Sequence, residues 1–588
     1  MEVSIREKSL SKRASIIIGL IALIQGFGLF SLHQALDNEL WPHGDWVATI
    51  MLGMLFICVP TLITLSYRDN YPQKRYWSWL TAMALIFLWI AWYSASTSVS
   101  ENFFLANAYF LPLCFLLAFI ALFFFKAWMR DRRWPPSYES QFGFSWHNFL
   151  SFVLAWLFTF IFWLILLLWG ALFNIVDISF FKELFKQKWF LYPTLSLAFA
   201  YAVVIFRTKI NAVGAVQRIL RGLISLLLPL LLMIALMFVV VLPFTGVNLI
   251  WEKGYGSDTI LSFVGLTLFF FNAVYQDGKR APYSELINLI VKSGIIILNA
   301  LMALAAYGVW LRVAQYGLTV ERILAIIIVA LMFGYIIAYS LIILFKRKTW
   351  SEYFGKANTS MALLFGLIIV LIFTPVLDMS HISVDSQLKR LETGKVMIED
   401  FDFHYLARSG KYGLATLEKL KQRAEVKESD KLLKKIEDSI EQKGRRRYYS
   451  PDNISSERIA ELAESLEVYP PTATVDSDFW SVFEQRSNQI ERCKTESCLL
   501  LAVDLNGDKK DEYILFQSAN GENVSSRLYI RESDGNFIPQ FSYARVTMTF
   551  EQLRASLKAG SLKLLEPKWK DIQIGEERIN TSRASELN

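Results

Sequence analysis

A soluble chain of 588 residues with a formal net charge of +7 would suggest several domains and a weak attraction to nucleic acid. The distribution of residues excludes both readings: 54% are hydrophobic, only 19% are charged, and the charge is confined to short clusters and to the region beyond residue 378. Long uncharged runs are not how an alternating globular core is built, so a lipid bilayer, not nucleic acid, is the expected partner.

Taken in chain order, apolar runs long enough to cross ~30 Å of hydrocarbon lie near 14–32, 46–65, 77–95, 105–127, 149–173, 189–206, 222–244, 259–275, 286–310, 323–345 and 361–377. Backbone groups in lipid must be paired within their own segment, so these eleven runs are expected as helices. The first run is read as a membrane helix and not a cleaved signal, because no small-residue cleavage site is followed by soluble sequence.

The connections alternate in charge. The N-terminal segment carries Arg6, Lys8, Lys12 and Arg13, and every even connection is basic, Lys126, Arg130, Arg132 and Arg133 in the fourth and Arg207, Lys209, Arg218 and Arg221 in the sixth. The first and third connections contain no Lys or Arg. This asymmetry predicts a cytoplasmic N-terminus, and an odd number of spans then carries the C-terminal region to the opposite side. The fifth connection departs from the rule with Lys182, Lys186 and Lys188, and its SFFKELFKQKWF reads as a short amphipathic helix on the outer surface. WPPSYESQFGFSWHNF, after the fourth run, is expected as a surface-lying loop on the cytoplasmic side.

Ionisable residues within the runs are almost absent, which weakens a proton-coupled transporter or a charged channel. Lys292 lies where it would snorkel, and Gln25, Asn272 and Asn299 are expected to bond between helices. Pro60, Pro112, Pro193, Pro229 and Pro375 are expected as kinks. Cys58 and Cys114 fall in apolar runs, as small hydrophobes do.

From about 378 the pattern becomes that of a water-soluble α+β domain. YGLATLEKLKQRAEVKESDKLLKKIEDSIEQKG predicts two charged helices, SSERIAELAESLEVY a further one, and DFWSVFEQRSNQIERC follows with helical spacing. CLLLAVDL, DEYILFQ, SRLYIRE and FIPQFSYARVTM then read as strands of a small antiparallel sheet, separated by turn signals. Thr549 is a candidate N-cap for a last helix. The expected organisation is therefore a polytopic α-helical membrane region, 1–377, and a soluble α+β domain, 378–588.

The sharpest local pattern is VDLNGDKKDEYILF, in which Asp504, Asn506, Asp508 and Glu512 fall at positions 1, 3, 5 and 9 of a loop between two strands. Converging oxygens of this kind suit calcium. Leu515 stands where an EF-hand needs glutamate, so the loop more closely resembles the calcium loops of FG-GAP and related β-propeller repeats, though here in a single copy. The competing reading is a hairpin turn set by Asn506–Gly507, with two lysines that disfavour a divalent ion. Cys493 and Cys498 would form a tight structural bridge if the domain lies in an oxidising compartment.

The segments WEKGYG, LTLFFFNAVYQDG, WLRVAQYGLTVERILA, ISVDSQLKRLETGK and VDLNGDKKDEYILF resemble the bacterial membrane family known as domain of unknown function 4153. The resemblance implies a Gram-negative inner membrane and supplies no catalytic residues. No Walker loop, GxSxG, HExxH or zinc spacing occurs, and the five histidines are dispersed. The leading expectation is a non-enzymatic inner-membrane protein whose periplasmic domain binds a ligand or an envelope protein. A transporter or channel for an apolar or lipid-like solute is the alternative. An envelope-biogenesis enzyme ranks third, with Asp37, Glu39, His43 and Asp45 as its densest polar cluster.

If the loop is a calcium site, calcium titrated into the whole chain binds, and Asp504→Ala or Asp508→Ala abolishes that binding. A wild-type chain that takes up no calcium leaves the hairpin turn as the loop's role.

Overall fold

A computed structural model describes residues 10–99, 107–208, 210–246, 256–276, 282–346, 350–427, 429–441, 466–473, 475–476, 479–480, 493, 497–505, 507–508, 510–518, 524–531, 537–540, 548–563, 572–574 and 577–579. Among them, eleven helices are long and apolar enough to cross a membrane. They are α1 (Lys12–Asp37), α2 (Trp46–Ser66), α3 (Gln73–Thr97), α4 (Phe110–Asp131), α5 (Tyr138–Ile175), α7 (Lys188–Thr208), α8 (Ile210–Thr245), α9 (Gly256–Tyr275), α10 (Glu285–Tyr316), α11 (Val320–Lys346) and α12 (Trp350–Ile372). The short α6 (Phe180–Lys186) occupies the fifth connection, where Phe181 packs on Trp169 and Phe173. The chain is a multi-pass membrane protein.

Compactness divides the chain after Gly444 into two units. In the first, the helices α13 (Met379–Glu392), α14 (Phe403–Arg408), α15 (Gly410–Lys421), α16 (Ala424–Lys427) and α17 (Asp430–Glu441) follow the last span. The change of composition at 378 thus marks where the polypeptide leaves the apolar helices, while the compact unit continues to Gly444.

The membrane helices enclose two apolar cores. One is built mainly from α1–α4, α7 and the C-terminal end of α12, with Ile18, Phe87, Phe110 and Ile369 among its buried residues. The other is built from α8–α10, the later part of α11 and Phe354 at the start of α12. Helices α11 and α12 therefore contribute to both. Close approach replaces the hydrophobic effect as the means of association within lipid. A Cβ at Gly26 of α1 would stand 2.3 Å from Pro193 Cα of α7, so only glycine permits that crossing.

Several expectations are corrected. Residues 138–149 are not a surface loop, for α5 begins at Tyr138 behind an N-cap Ser137 whose N–H donates to Asp131 Oδ2 at 2.7 Å. Its first turns bury Gln141, Phe142, Phe144 and Asn148, because they pack against other helices and not on a headgroup layer. The last span begins at Trp350 and ends at Ile372. Pro375 consequently lies beyond it, and Pro112 falls in the first turn of α4, where a missing N–H costs nothing. Lys126 and Arg207, assigned to connections, are each only 1% exposed.

Arg207 explains its own burial. The α2 helix ends at Ser66, leaving carbonyls with no partner in their own helix. Arg207 of α7 donates from Nη1 to Thr64 O at 2.8 Å and from Nη2 to Tyr67 O at 2.9 Å. A cation at a helix C-terminus is also favoured by the helix dipole. Beside it, Ser66 Oγ and Tyr76 Oη are 3.2 Å apart.

At the end of the bundle that carries the odd connections, α13 satisfies the C-terminus of α10 in the same way. Ser383, Ser386, Gln387 and Arg390 share one face at helical spacing. Arg390 donates to Ala314 O and Gln315 O, Gln387 to Tyr316 O and Leu318 O, and Ser383 to Leu318 O. The Leu318 N–H donates to Ser386 Oγ. Asp378 caps α13 and accepts from Tyr93 of α3 at 2.7 Å.

The second unit holds a five-stranded sheet in the order β1 (Glu467–Tyr469), β2 (Ser497–Val503), β3 (Glu512–Ser518), β4 (Ser525–Arg531) and β5 (Phe537–Gln540). It also holds α18 (Phe550–Lys558) and the small pair β6 (Ile572–Ile574) and β7 (Glu577–Ile579). The sheet is mixed and not antiparallel throughout, because β1 pairs parallel to β2. Glu467–Tyr469 was expected as the end of a helix, but Val468 and Tyr469 join opposite faces of the sheet, as a strand requires. Residues 455–465 of that expected helix and most of DFWSVFEQRSNQIERC lie outside the described residues. Thr549 caps α18 with a complete capping box.

Replacing Arg207 with Met is expected to lower stability by about 2–3 kcal/mol, since two carbonyls lose a charged donor. Lysine at that position should recover part of the loss, lacking the two-pronged geometry. Thermal unfolding in detergent micelles, followed by tryptophan fluorescence, measures both. Identical melting of the wild type and the Met variant would show that the carbonyls find other partners.

Candidate functional site

The C-terminal unit places its polar groups by the way β2 and β3 pair. Leu499 and Leu501 face one apolar cluster with α18, and Leu500 and Ala502 face another with Tyr513 and Tyr529. Strand β2 is thus buried on both sides, and its register with β3, Leu500 opposite Leu515 and Val503 opposite Glu512, fixes the loop between them.

Within that loop the three described candidate metal ligands are turned to the backbone. Asp504 Oδ1 accepts the Gly507 N–H at 2.7 Å, Asp508 Oδ1 accepts that of Lys510 at 2.8 Å, and Glu512 Oε2 accepts that of Leu505 at 2.8 Å. Gly507 has φ +81°, the left-handed conformation that suits glycine. Glu512 is 3% exposed. Asn506 lies outside the described residues. Among the described residues, no group of three or more His, Cys, Asp or Glu is placed to hold a metal ion.

The far end of the loop opens into a cleft of about 290 Å³ lined by Val475, Asp476, Lys510, Asp511, Tyr513 and Arg531. The Arg531 guanidinium pairs with the Asp476 carboxylate and lies 4.7 Å above the centre of the Phe537 ring. Tyr513 Oη accepts the Asp476 N–H at 2.9 Å. Burial pushes the Tyr513 phenol above its ordinary pKa, so it stays a neutral acceptor across the physiological range. Of these six residues the sequence singles out only Lys510, as one of the two lysines beside the calcium-like loop. Charged residues beside turns are too common to signal a cleft, and Asp476 comes from a different segment of the chain.

The structure joins Cys493 and Cys498 as a disulfide with Cα atoms 5.4 Å apart. Gln517, opposite Cys498 in the sheet, donates toward both sulfurs at 3.4 and 3.7 Å.

In the membrane unit, the polar groups meet at the end of the bundle that carries the even connections. Asn272 Oδ1 of α9 accepts from Tyr339 Oη of α11 and from Asn358 Nδ2 of α12, each at 2.8 Å. Asn358 Nδ2 also donates to Tyr138 Oη of α5 at 2.6 Å, and the single Tyr339 Oη proton is shared between Asn272 Oδ1 and Asn358 Oδ1. Next to them Thr359 Oγ1 donates to Gln141 Oε1 at 3.1 Å. The cluster links α5 to helices of the second core and is uncharged. Asn299 bonds Ser340 at 2.6 Å and Gln25 bonds Thr61 at 3.2 Å, as expected of interhelical partners. Lys126 donates to Asn148 Oδ1 at 2.6 Å.

The acidic group at the first connection is divided among structural tasks. Asp37 pairs with Lys188 at 2.6 Å, and Asp45 caps α2 through the Ala48 N–H at 3.0 Å. Glu39 and His43 are exposed.

No curated protein and no solved structure matches the chain. The model of one family, described as a domain of unknown function (DUF4153), matches residues 47–420, from the start of α2 nearly to the end of α15. That span takes in the second core, the first core apart from α1, the polar cluster and the α13 clamp, and the cleft lies beyond it. The chain belongs to the domain of unknown function 4153 family.

Proposed function

We propose that this chain is a non-enzymatic protein of a bacterial inner membrane whose C-terminal unit faces the periplasm and binds a ligand or an envelope partner. The cleft lined by Asp476, Lys510, Asp511, Tyr513 and Arg531 carries the reading. It brings charged side chains together beside Val475 and the Tyr513 ring, on a sheet whose register fixes the loop. Three observations support the periplasmic side. Eleven candidate spans, an odd number, occur among the described residues, the even connections hold most of the loop lysines and arginines, and a disulfide persists in an oxidising compartment.

A transporter of an apolar or lipid-like solute is the second reading. The observation that favours it is the division of the membrane helices into two cores, with an uncharged polar cluster linking α5 to the second. Such an arrangement would let one group of helices rock against the other.

An enzyme reporter that works only outside the cytoplasm, fused after Asn588, is expected to be active. Activity solely of a cytoplasmic reporter would remove the periplasmic placement. In proteoliposomes, movement of a fluorescent phospholipid between leaflets that Asn358→Leu alters would favour the transporter; no movement in the wild type rules out lipid as its solute.

A further inference from the structure

Where α1 meets α7, at the end of the bundle that carries the odd connections, two basic side chains approach one carboxylate oxygen. His33 and Asp37 lie one turn apart on α1 and share a face. Lys188, the first residue of α7, places Nζ 2.6 Å from Asp37 Oδ2. His33 Nε2 is 3.4 Å from that same oxygen. It is shielded from solvent and makes no hydrogen bond, while Nδ1 stands 3.5 Å from Tyr192 Oη of α7. Asp37 is therefore bonded to the lysine of the neighbouring helix and only adjoins the histidine of its own.

Protonation of His33 changes that balance. Histidine is the side chain whose charge ordinarily changes between pH ~5 and ~8. The imidazolium carries an N–H on both nitrogens, so Nε2 becomes a charged donor beside the carboxylate. Both groups are measured from one oxygen, so His33 Nε2 and Lys188 Nζ lie within ~6 Å of each other, where like charges disfavour one another. His33 and Asp37 are already held one turn apart on a single helix. Lys188 instead reaches across between helices with a long side chain that loses rotamer freedom in doing so. Its position also depends on the carboxylate, because a cation at the first residue of a helix meets the positive end of the dipole.

The neighbourhood holds few other charges. Helix α1 packs on α7 and α2. From α7 come Lys188 and Tyr192. Trp46–Ser66 of α2 contains no Asp, Glu, His, Lys or Arg, and its titratable group, Cys58, adjoins Ile57, whose carbonyl accepts from Gln25 of α1. In the connection after α1, Asp45 is committed to the Ala48 N–H, and Glu39 and His43 are exposed. About two turns from His33, the tight crossing of Gly26 and Pro193 pins α1 to α7, so a change at Asp37 acts on the free end beyond that crossing.

We propose that His33 is a proton-sensitive switch of the α1–α7 contact: once protonated, it takes the Asp37 carboxylate from Lys188 and frees the start of α7, with the adjoining α6, from α1. On the topology proposed above this end faces the periplasm; only the compartment that is sensed, and not the switch, rests on that reading.

With five histidines in the chain, the switch can be read directly. Solid-state NMR of the whole chain in proteoliposomes, with isotope-labelled histidine, follows each ring through its titration, and His33→Gln identifies the His33 signal. Lys188→Gln, at an exposed position, is expected to raise the His33 midpoint by about one pH unit through loss of the like charge, and Asp37→Asn to lower it by about as much. A midpoint that Lys188→Gln leaves in place overturns the competition. Hydrogen–deuterium exchange of the segment 184–191 reads the release. At pH ~5.5 the wild type is expected to exchange several-fold faster there than His33→Gln, and at pH ~7.5 the two are expected to agree, comparison at one pH cancelling the intrinsic effect of acidity. Lys188→Gln is expected to exchange fast at both. Equal exchange of wild type and His33→Gln at the lower pH, or slow exchange of Lys188→Gln, shows that this contact does not hold the start of α7, and the proposal falls.

Discussion

In hydrocarbon a polar atom can be satisfied only by another part of the protein, and this constraint organises the membrane unit. Its clearest case is Arg207, a fully buried guanidinium whose two donors end on the terminal carbonyls of α2. The cost of burying the cation is offset because the carbonyls it meets are the negative end of a helix. The α13 clamp on the end of α10 repeats the solution where the bundle ends, with Gln387, Arg390 and two serines in place of water. The Tyr138, Asn272, Tyr339 and Asn358 cluster applies it between helices without a formal charge.

Of these contacts, the cluster lies where α5 meets helices of the second core. Cores of leucine and phenylalanine are not held together by the hydrophobic effect in a solvent that is itself apolar. Specific contacts therefore decide how the two sets of helices are registered: the close crossing at Gly26 within one core, and hydrogen bonds that link α5 to helices of the other. The family match extends past the last span into α15, which fits a unit whose clamp helix is part of the membrane structure and not a linker.

The C-terminal unit obeys the opposite economy. In water an exposed carboxylate is satisfied without help, so the bonds of Asp504 and Asp508 to backbone N–H groups are a choice of loop shape, whereas the buried Glu512 needs the Leu505 N–H. The same geometry places Lys510 and Asp511 beside Asp476, Tyr513 and Arg531.

Much of the architecture was legible in local patterns. Eleven apolar runs, the short helix of the fifth connection, the β2–β3 hairpin and the Thr549 cap each depend on neighbours within a few residues. The failures share a cause. Residues 138–149 look like a loop because tyrosine, glutamine, histidine and asparagine do not declare a buried helix until their partners arrive, and Tyr138 meets Asn358 across 220 residues of sequence. Lys126 and Arg207 read as loop charges because burial of a cation depends on an acceptor elsewhere, 140 residues or more away for Arg207. The strand at Glu467–Tyr469 needed β2 as a partner before its alternation outweighed a helical period. The sequence by itself determined which segments enter the bilayer, because hydropathy is a sum over local residues. Only the tertiary structure decided which polar atoms share a site, because in lipid or cleft a charge or hydrogen bond acquires its energy from groups that distant segments bring to it.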